Sequence, residues 1–129
     1  MISIIIPAHN EFHNLQRLFK VACFLEHEKL IEIIIAVSPG NSDTIENLDC
    51  GQKVKLLHCK NKGRAAQMNE ASKIALGNTF VFLHADVVPP TGFIDDILTS
   101  LQNGYDAGFF SYRFDKDKWY LRVNASFTA

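Results

Sequence analysis

The chain alternates between short apolar runs and longer stretches in which apolar and polar residues are mixed. Five runs, rich in β-branched and aromatic residues, predict β-strands. They are Ile2 to Ile6, Ile31 to Val37, Val54 to His58, Phe80 to Leu83 and Ala107 to Phe114. None approaches the roughly 20 consecutive apolar residues that a membrane-spanning helix needs.

Three of the intervening stretches show the apolar spacing of amphipathic helices, with a period of about 3.6 residues. The predicted helices are Glu11 to Glu26, Arg64 to Leu76 and Thr91 to Gln102. Asn10 is expected to be the N-cap of the first helix, and Gly77 the C-cap of the second. Gly104 is expected to end the third.

This alternation predicts an α/β fold, with a three-layer α/β/α arrangement around a mostly parallel sheet. No internal repeat or linker divides the sequence, so a single domain over residues 1–129 is expected. In such folds the carboxyl ends of the strands meet at one edge of the sheet, and ligands bind there. Candidate functional residues are therefore those that directly follow the strands.

The composition excludes several function classes. Of the 129 residues, 47% are hydrophobic and the formal net charge is −1, so nothing indicates non-specific binding to nucleic acid or to an anionic membrane. The N-terminus lacks the basic region and cleavage site of a secretory leader, so a cytoplasmic location is expected. The cysteines Cys23, Cys50 and Cys59 lack metal-ligand spacing and are expected to be reduced thiols.

Three polar segments directly follow predicted strands: Pro7 to Glu11, Ser38 to Asp43 and His84 to Asp86. Pro7 is expected to end the first strand, and the N–H groups at the start of the next helix can then face an anionic ligand. Glu11 either accepts hydrogen bonds from a base or ribose or stabilises the helix dipole. The second segment is rich in turn formers and is either the polar wall of a pocket or a simple connection.

His84 and Asp86 carry the sharpest chemical signal, because the strand before them is apolar and ends abruptly. Mg²⁺ or Mn²⁺ on a diphosphate commonly binds one or two carboxylates together with phosphates and water. Asp86 is therefore the first candidate metal ligand, with a turn or capping role as the alternative. His84 is a second ligand or a hydrogen-bonding neighbour. Arg64 and Gln67, one helical turn apart, either contact a phosphate or sugar or lie in solvent.

Motifs of the common hydrolases, P-loop proteins and dinucleotide-binding proteins are absent. Three other motifs occur in order: Ser-Ile-Ile-Ile-Pro-Ala-His-Asn-Glu at residues 3–11, Gly-Arg-Ala-Ala-Gln-Met-Asn at 63–69 and Leu-His-Ala-Asp at 83–86. With them, nearly the whole chain resembles the family 2 glycosyltransferases of the GT-A fold. It is most similar to a bacterial subgroup with a His-Ala-Asp form of the Asp-x-Asp motif and a later Phe-x-x-x-Phe-Asp, here Phe110 to Asp115.

The resemblance implies transfer of a sugar, a hexose in related enzymes, from a nucleotide-diphosphate sugar to an acceptor hydroxyl, with inversion. Asp86 and His84 would hold Mg²⁺ or Mn²⁺ on the donor diphosphate, where the cation acts as a Lewis acid. The nucleotide-sugar pocket would be lined by Pro7, Ala8, His9, Asn10, Glu11, Ser38, Arg64, Gln67 and Ala85.

Two features depart from the family pattern. The second strand usually ends in an Asp that binds the base or ribose, whereas Ser38 offers a neutral contact. Family members also continue into an acceptor-side region with the catalytic base, often near a Gly-Asp-Gln motif, and no such motif occurs before Ala129. The resemblance therefore implies a donor-binding half, truncated at its C-terminus, and leaves the base, the donor sugar and the acceptor open.

Two other functions stay open. A non-catalytic, doubly wound nucleotide- or phosphate-binding module would ignore the sugar of a nucleotide-sugar. A nucleotidyltransferase would carry a Gly-rich loop after the first strand, which Pro7 to Glu11 is not. Trp119 to Leu121, beside basic residues, leave open contact with an acceptor, with a membrane surface or with a second copy in a homo-oligomer, as well as simple packing.

Overall fold

A computed structural model of the chain describes residues 1–111, apart from the side chain of Cys23. The chain divides into two compact units, Met1–Ile94 and Asp95–Ala129. The single domain that the sequence predicts over residues 1–129 stays a prediction. Within residues 1–111, no helix combines the length and the apolar character that crossing a bilayer requires.

Strands and helices alternate along the chain, which confirms the α/β class. The strands are β1 (Ile2–Ala8), β2 (Leu30–Val37), β3 (Val54–His58) and β4 (Thr79–Phe82). The helices are α1 (Phe12–Val21), α2 (Arg64–Ile74) and α3 (Phe93–Gln102), with 3₁₀ turns at Cys23–Glu26 and Ile45–Asn47. α1 is shorter than predicted, because a separate 3₁₀ turn replaces its last part. Lys53 Nζ stabilises this turn by donating hydrogen bonds to the carbonyl groups of Leu25 and His27.

The four strands of the described sheet are parallel, in the order β3-β2-β1-β4. β1 is central: Ile5 pairs with Ile34 of β2 on one side and with Phe82 of β4 on the other. The chain builds the sheet outward from β1 to β3 and then crosses back to place β4 beyond β1. The carboxyl ends of β1 and β4 therefore flank the point where the strand order reverses, which is the usual ligand position in open α/β sheets.

The two inner strands, β1 and β2, are buried on both faces, as expected of parallel strands with apolar runs. Ile4 and Ile5 point to opposite faces of β1, and both are 0% exposed. On the Ile5 face, Ala71 of α2 belongs to the same buried cluster as Ile5 and Ile34. The connection through α1 runs along the sheet in the opposite direction to the one through α2, so the right-handed crossover rule places α1 on the other face. The result is the predicted three-layer arrangement.

Gly77 does not cap α2, contrary to the prediction. The C-cap residue is Ala75, and Gly77 lies against the start of β1 instead. A Cβ at Gly77 would stand 2.7 Å from the backbone nitrogen of Ser3 and 2.9 Å from the carbonyl oxygen of Met1. The glycine is therefore needed for a close approach of two backbone segments rather than for a left-handed turn.

Gly104 ends α3, as predicted. Its φ is 87°, and its N–H donates to the carbonyl of Leu101 at 3.0 Å, while Tyr105 N–H donates to that of Ser100 at 3.2 Å. This pair of bonds is a Schellman motif, in which a glycine adopts the left-handed conformation that other residues resist.

The fifth predicted strand, Ala107 to Phe114, is not formed in the described part of the chain. Residues 107–111 belong to no helix or strand, and residues 112–114 lie outside the described residues. Most of the Phe110 to Asp115 motif and all of Trp119 to Leu121 lie outside them as well. β4 is accordingly outermost on its side of the described sheet, and its Phe80 and Phe82 are exposed.

Cys50 and Cys59 are free thiols, as predicted, and Cys59 is buried. Burial raises the pKa of both thiols, and the neighbouring carboxylates raise it further, that of Asp49 for Cys50 and that of Glu70 for Cys59. Because the thiolate is the reactive form, both are poor nucleophiles.

A buried carboxylate joins three segments at the amino edge of the sheet, opposite the ligand edge. Glu32 of β2 is 1% exposed and accepts hydrogen bonds from Leu76 N–H (2.6 Å), Lys55 Nζ (2.9 Å) and Ser3 Oγ (2.7 Å). Ser3 Oγ in turn accepts one from Gly77 N–H at 2.8 Å. Burial by itself raises the pKa of Glu32, but these hydrogen bonds outweigh burial and hold the pKa below its ordinary value. The carboxylate thereby fixes the connection between α2 and β4.

Candidate functional site

At the carboxyl edge of the sheet, Pro7 ends the pairing of β1 with β4 but not its pairing with β2. β1 stays paired with β2 as far as Ala8 and Val37, whereas its ladder with β4 ends where the carbonyl of Ile5 accepts Leu83 N–H at 3.0 Å. Backbone groups at alternate positions face the same neighbour, so residue 7 would supply the next N–H to β4, and proline has none. β1 therefore continues past Pro7, where the sequence predicts its end, and only the pairing with β4 stops.

A cleft of about 390 Å³ lies at this opening. It is lined by Pro7, Arg64, Met68, Phe82, Leu83 and His84. Most of the lining is apolar, and Arg64 and His84 are its polar members. Apolar walls with a few polar groups that fix orientation are typical of small-molecule sites.

Arg64, the first residue of α2, brings a positive charge to the cleft. The preceding Gly63 has a φ of 115°, and no side chain caps the helix. The N–H groups of the first turn have no partner within the helix, so the helix dipole adds to the charge of the guanidinium. Arg64 is exposed and has no carboxylate partner within residues 1–111. This end of the cleft is therefore suited to an anion.

The start of α1, by contrast, is filled by a carboxylate of the chain itself. Asp43, from the loop after β2, accepts hydrogen bonds from Phe12 N–H and from Asn41 Nδ2, both at 2.8 Å. The N-cap position is Glu11, and the predicted N-cap, Asn10, has a φ of 54° instead. The anion-binding helix start that the sequence predicts after β1 is thus occupied by Asp43.

The loops after β1 and β2 are held together by reciprocal hydrogen bonds. Asn10 N–H donates to Asn41 Oδ1 at 2.8 Å, and Ser42 donates to Asn10 Oδ1 through its N–H (2.8 Å) and its hydroxyl (3.2 Å). His9 Nδ1 and Ser38 Oγ lie 2.6 Å apart. Ser38, predicted to contact the base or ribose, is 5% exposed and faces His9, which is the exposed member of the pair. We call these two loops the paired loops, residues 9–11 and 38–43.

Three further residues predicted to line the pocket are at least partly buried. Ala8 and Ala85 are 2% and 4% exposed, so neither side chain is accessible to a ligand. Glu11 is half-buried and accepts a hydrogen bond from Asn14 Nδ2 at 2.6 Å, in the same first turn. This contact agrees with the interpretation of Glu11 as a helix-start residue and leaves one carboxylate oxygen for other partners.

Gln67 points into the protein, whereas the sequence predicts contact with the donor. It is 4% exposed, and its Nε2 donates to the carbonyl oxygens of Ala8 (3.0 Å) and Ala36 (2.6 Å). Both hydrogens of the amide are therefore used by the backbone of two strands. Of the predicted pair, Arg64 alone lines the cleft.

His84, Ala85 and Asp86 form a turn directly after β4, closed by a hydrogen bond from Val87 N–H to the carbonyl of His84 at 3.1 Å. His84 lines the cleft, and Asp86 is exposed with no hydrogen-bond partner for its carboxylate within residues 1–111. Over the same residues, no group of three or more His, Cys, Asp or Glu side chains could hold a metal ion. A cation at Asp86 would therefore take most of its ligands from a substrate and from water.

The pattern of motifs is matched by a family model that covers nearly the entire sequence. The model described as Glycosyl transferase family 2 matches residues 3–128. The chain belongs to glycosyl transferase family 2. The resemblance drawn from the motifs is confirmed at the level of the family, and the parallel α/β sheet agrees with the GT-A fold that it implies.

Relatives of this family 2 chain are named as glycosyltransferases. An uncharacterized glycosyltransferase of Synechocystis sp. is 31% identical over an alignment of 112 residues, and the match covers 81% of this chain and 35% of the relative. A dolichol-phosphate mannosyltransferase of Pyrococcus furiosus is 29% identical over an alignment of 109 residues, and the match covers 81% of this chain and 31% of the relative. An uncharacterized glycosyltransferase of Rickettsia conorii is 34% identical over an alignment of 89 residues, and the match covers 66% of this chain and 14% of the relative. The chain spans about a third or less of the length of these curated relatives.

Sequence reasoning does not reveal what Asp43 does in this family 2 domain. Asn41-Ser42-Asp43 after a strand indicates a turn, in which Asp43 would cap its own loop. Its partner Phe12 lies 31 positions earlier in the chain, and no local pattern connects the two. The one indication of this contact in the sequence is that the segments with Phe12 and Asp43 follow neighbouring parallel strands.

Replacing Asp43 by alanine is expected to lower the free energy of unfolding by about 1–2 kcal/mol, because Phe12 N–H loses its acceptor and α1 loses a favourable charge at its start. Chemical denaturation at pH 7 measures the change. Asp49→Ala is the matched control, since Asp49 is exposed and has no hydrogen-bond partner within residues 1–111, and it should change stability by less than about 0.5 kcal/mol. Equal losses in the two variants would contradict the capping role.

Proposed function

We propose that this chain is the donor-binding part of a glycosyltransferase that transfers a hexose, with inversion, from a nucleoside-diphosphate sugar to an acceptor hydroxyl. The observation that carries the proposal is the cleft where the strand order reverses, which is lined by Arg64, with no carboxylate partner within residues 1–111, and by His84, the first residue of the turn that carries Asp86. Membership of family 2 supports the class of reaction.

We assign the donor diphosphate to the start of α2. A diphosphate is an anion with several acceptor oxygens, and Arg64 offers a planar fork of donors that matches it. The uncapped N–H groups after Gly63 add donors and a positive dipole end. The start of α1 is less suited, because Asp43 already supplies a negative charge there.

Asp86 and His84 are the residues of this chain that would hold a divalent cation, Mg²⁺ or Mn²⁺, beside the diphosphate. The donor set fits such an ion, because the Asp86 carboxylate is exposed and has no partner within residues 1–111, and Mg²⁺ commonly combines one or two carboxylates with phosphates and water. A bound cation supplies Lewis-acid stabilisation of negative charge on the leaving diphosphate. The chain contributes a fixed position for the carboxylate, through the turn that Val87 N–H closes after β4.

We assign the nucleoside to the paired loops. Their reciprocal hydrogen bonds between Asn10, Asn41 and Ser42 form without a ligand, so binding loses little loop entropy. His9 is an exposed polar residue there, and Ser38 orients its ring through the 2.6 Å contact to Nδ1. In this assignment Ser38 acts through His9 rather than on the base or ribose directly.

The general base that activates the acceptor hydroxyl is proposed to lie outside residues 1–129. The matched relatives are about three times as long as the region they share with this chain, or longer, which leaves room for an acceptor site. Arg64, His84 and Asp86 would then bind and orient the donor, and the acceptor would approach the anomeric carbon from the open side of the cleft.

Calorimetric titration of the chain with UDP, GDP and their sugar conjugates, with and without Mn²⁺, tests the proposal. The chain is expected to bind one nucleoside diphosphate more tightly with Mn²⁺ present. Asp86→Asn keeps the size of the side chain but removes the anionic ligand, so it should weaken the Mn²⁺-dependent binding at least about tenfold. Asp49→Asn removes an exposed carboxylate that does not line the cleft and should leave Kd unchanged.

Two results would count against the proposal in different ways. Equal Mn²⁺-dependent binding by the wild type and Asp86→Asn would overturn the assignment of the metal. Binding that is indifferent to every sugar tested would instead favour a non-catalytic nucleotide-binding module.

A further inference from the structure

One buried polar side chain near the cleft, that of Gln67, has no role in the proposed function. Gln67 lies in α2, one turn after Arg64, and is 4% exposed. Its Nε2 donates to the carbonyl oxygens of Ala8 at 3.0 Å and of Ala36 at 2.6 Å. A buried amide that donates both of its hydrogens to the backbone of two different strands is a specific structural contact. Each bond is made in a low-dielectric environment, where an unpaired polar group is costly.

The two carbonyl groups belong to the last two residue pairs of the β1–β2 ladder, Pro7 with Ala36 and Ala8 with Val37. Ala8 ends β1 and pairs with Val37, and its carbonyl also accepts Ser38 N–H at 2.9 Å. A carbonyl oxygen has two lone pairs, so it can accept both the ladder bond and the bond from Gln67. Directly beyond the last pair the chain enters the paired loops.

The other residues that pack α2 on the sheet are apolar, and most of them are small. Ala71 is fully buried against Ile5 and Ala36, with Met68 and Ala75 beside it. Apolar contacts of this kind have no directional preference, so they fix the orientation of the helix less strictly than directional hydrogen bonds do. Two hydrogen bonds from one amide to two strands restrict that orientation.

We infer that Gln67 is a positioning residue for the donor site, which clamps the first turn of α2, and with it Arg64, to the ends of β1 and β2. The inference rests on the proposed function for what the site binds, but the clamp itself is a property of the fold. It joins the helix start that carries Arg64 to the strand ends from which the paired loops begin. The distance between the diphosphate contact and the nucleoside contact is thereby set before any ligand arrives.

Gln67→Met tests the clamp, because methionine has a similar length and no hydrogen-bond donor. The variant should fold, since the Ala8 carbonyl retains its bond from Ser38 N–H. Two measurements are made on the whole chain: hydrogen exchange of the Ser38 amide, and the Kd for UDP and GDP in the presence of Mn²⁺. Exchange of Ser38 should accelerate at least about tenfold, and Kd should rise at least about tenfold, as expected when a buried hydrogen-bonded pair is lost.

Ser3→Ala is the matched control. It also removes buried hydrogen bonds, those to Glu32 and from Gly77 N–H, but at the opposite edge of the sheet. In Ser3→Ala, the hydrogen-exchange rate of the Ser38 amide, compared under conditions of equal global stability, should stay within about twofold of the wild-type rate. The Kd should stay within about twofold as well, since distant sites act independently. Gln67→Glu adds a rescue: the carboxylate repels the two carbonyl groups, and protonation at lower pH restores one donor, so its Kd relative to wild type should improve as the pH falls.

Each outcome decides a separate point. Unchanged Ser38 exchange in Gln67→Met would overturn the clamp, whatever the chain binds. Accelerated exchange with unchanged Kd would overturn the positioning role. A wild-type chain that binds neither nucleotide would overturn the proposed function, while the exchange experiment would still decide whether Gln67 holds the strand ends.

Discussion

Gly77→Ala is expected to lower the free energy of unfolding by about 3 kcal/mol or more, at the upper end of what overpacking costs. A Cβ at this position would meet the backbone nitrogen of Ser3 at 2.7 Å, its hydroxyl at the same distance, and the carbonyl oxygen of Met1 at 2.9 Å. Two of these atoms belong to the backbone, so no side-chain rotation relieves the overlap.

The overlap also disrupts neighbouring hydrogen bonds. Gly77 N–H donates to Ser3 Oγ, and the next residues, Asn78 and Thr79, donate to the carbonyl of Met1. Moving Gly77 away from β1 weakens the point where β4 begins to pair. Differential scanning calorimetry should show a melting temperature lower by roughly 10 °C or more.

Gly40→Ala is the control for the loss of a glycine as such. Its Cβ would make only an ordinary contact, 3.5 Å from His9 Cε1, and its φ lies outside the left-handed region. A change of less than about 0.5 kcal/mol is expected. A Gly77→Ala variant as stable as Gly40→Ala would show that the backbone at residue 77 can move away without cost.

Glu32→Gln is expected to lower the free energy of unfolding by about 2–3 kcal/mol at pH 7, because the bonds from Leu76 N–H, Lys55 and Ser3 lose their charged acceptor inside the protein. The amide also places N–H hydrogens beside donors that need an acceptor. Urea denaturation at pH 7 measures the loss, with Glu28→Gln, an exposed carboxylate, as control.

The pH dependence gives an independent check on Glu32. Its folded pKa is lowered, so its contribution to stability is complete above the ordinary value of 4.5 and is lost as the pH falls through the lower folded value. The wild type should therefore lose its advantage over Glu32→Gln in acid, and the two stability curves should converge as the pH falls from 4.5 through the lower folded pKa. Parallel curves through this range would show that Glu32 is not the titrating group.

Much of the fold follows from the spacing of apolar residues. Strands β1 to β4 lie within two residues of their predicted positions at either end, because short apolar runs rich in β-branched and aromatic residues are a strong local signal. Ala107 to Phe114 has a similar pattern, yet residues 107–111 form no strand. A strand needs a neighbour to pair with, and local sequence does not report whether one is present.

The errors at single residues have a common cause. Gly77 follows a helix and is predicted to cap it, but its neighbour in space is Ser3. Asn10 precedes a helix and is predicted to cap it, but Asp43 does so from another loop. Gln67 lies one turn after Arg64 and is predicted to share its ligand, but it reaches Ala8 and Ala36 instead. In each case a tertiary partner overrides the local pattern.

The site is predicted better in outline than in contacts. The strand-end rule brings Pro7 and His84 to one cleft, since parallel strands deliver their carboxyl ends to the same edge, and Arg64 joins them from the start of α2. The rule does not report that proline would interrupt one ladder and leave the other intact. That difference depends on which neighbour residue 7 faces, which follows from the register of the sheet.

The central position of β1 affects how the protein is made. β1 is synthesised before the other three strands of the described sheet, and β2 can cover one of its edges soon afterwards. The other edge must wait for Thr79–Phe82, the last strand of the described sheet to leave the ribosome. Throughout that interval the apolar Ile2–Ile6 run presents open backbone groups, which can pair with strands of other nascent chains. Chaperone capture of this run during translation is the expected protection, and its timing is set by a strand order that places β1, the earliest of the four described strands, inside the sheet.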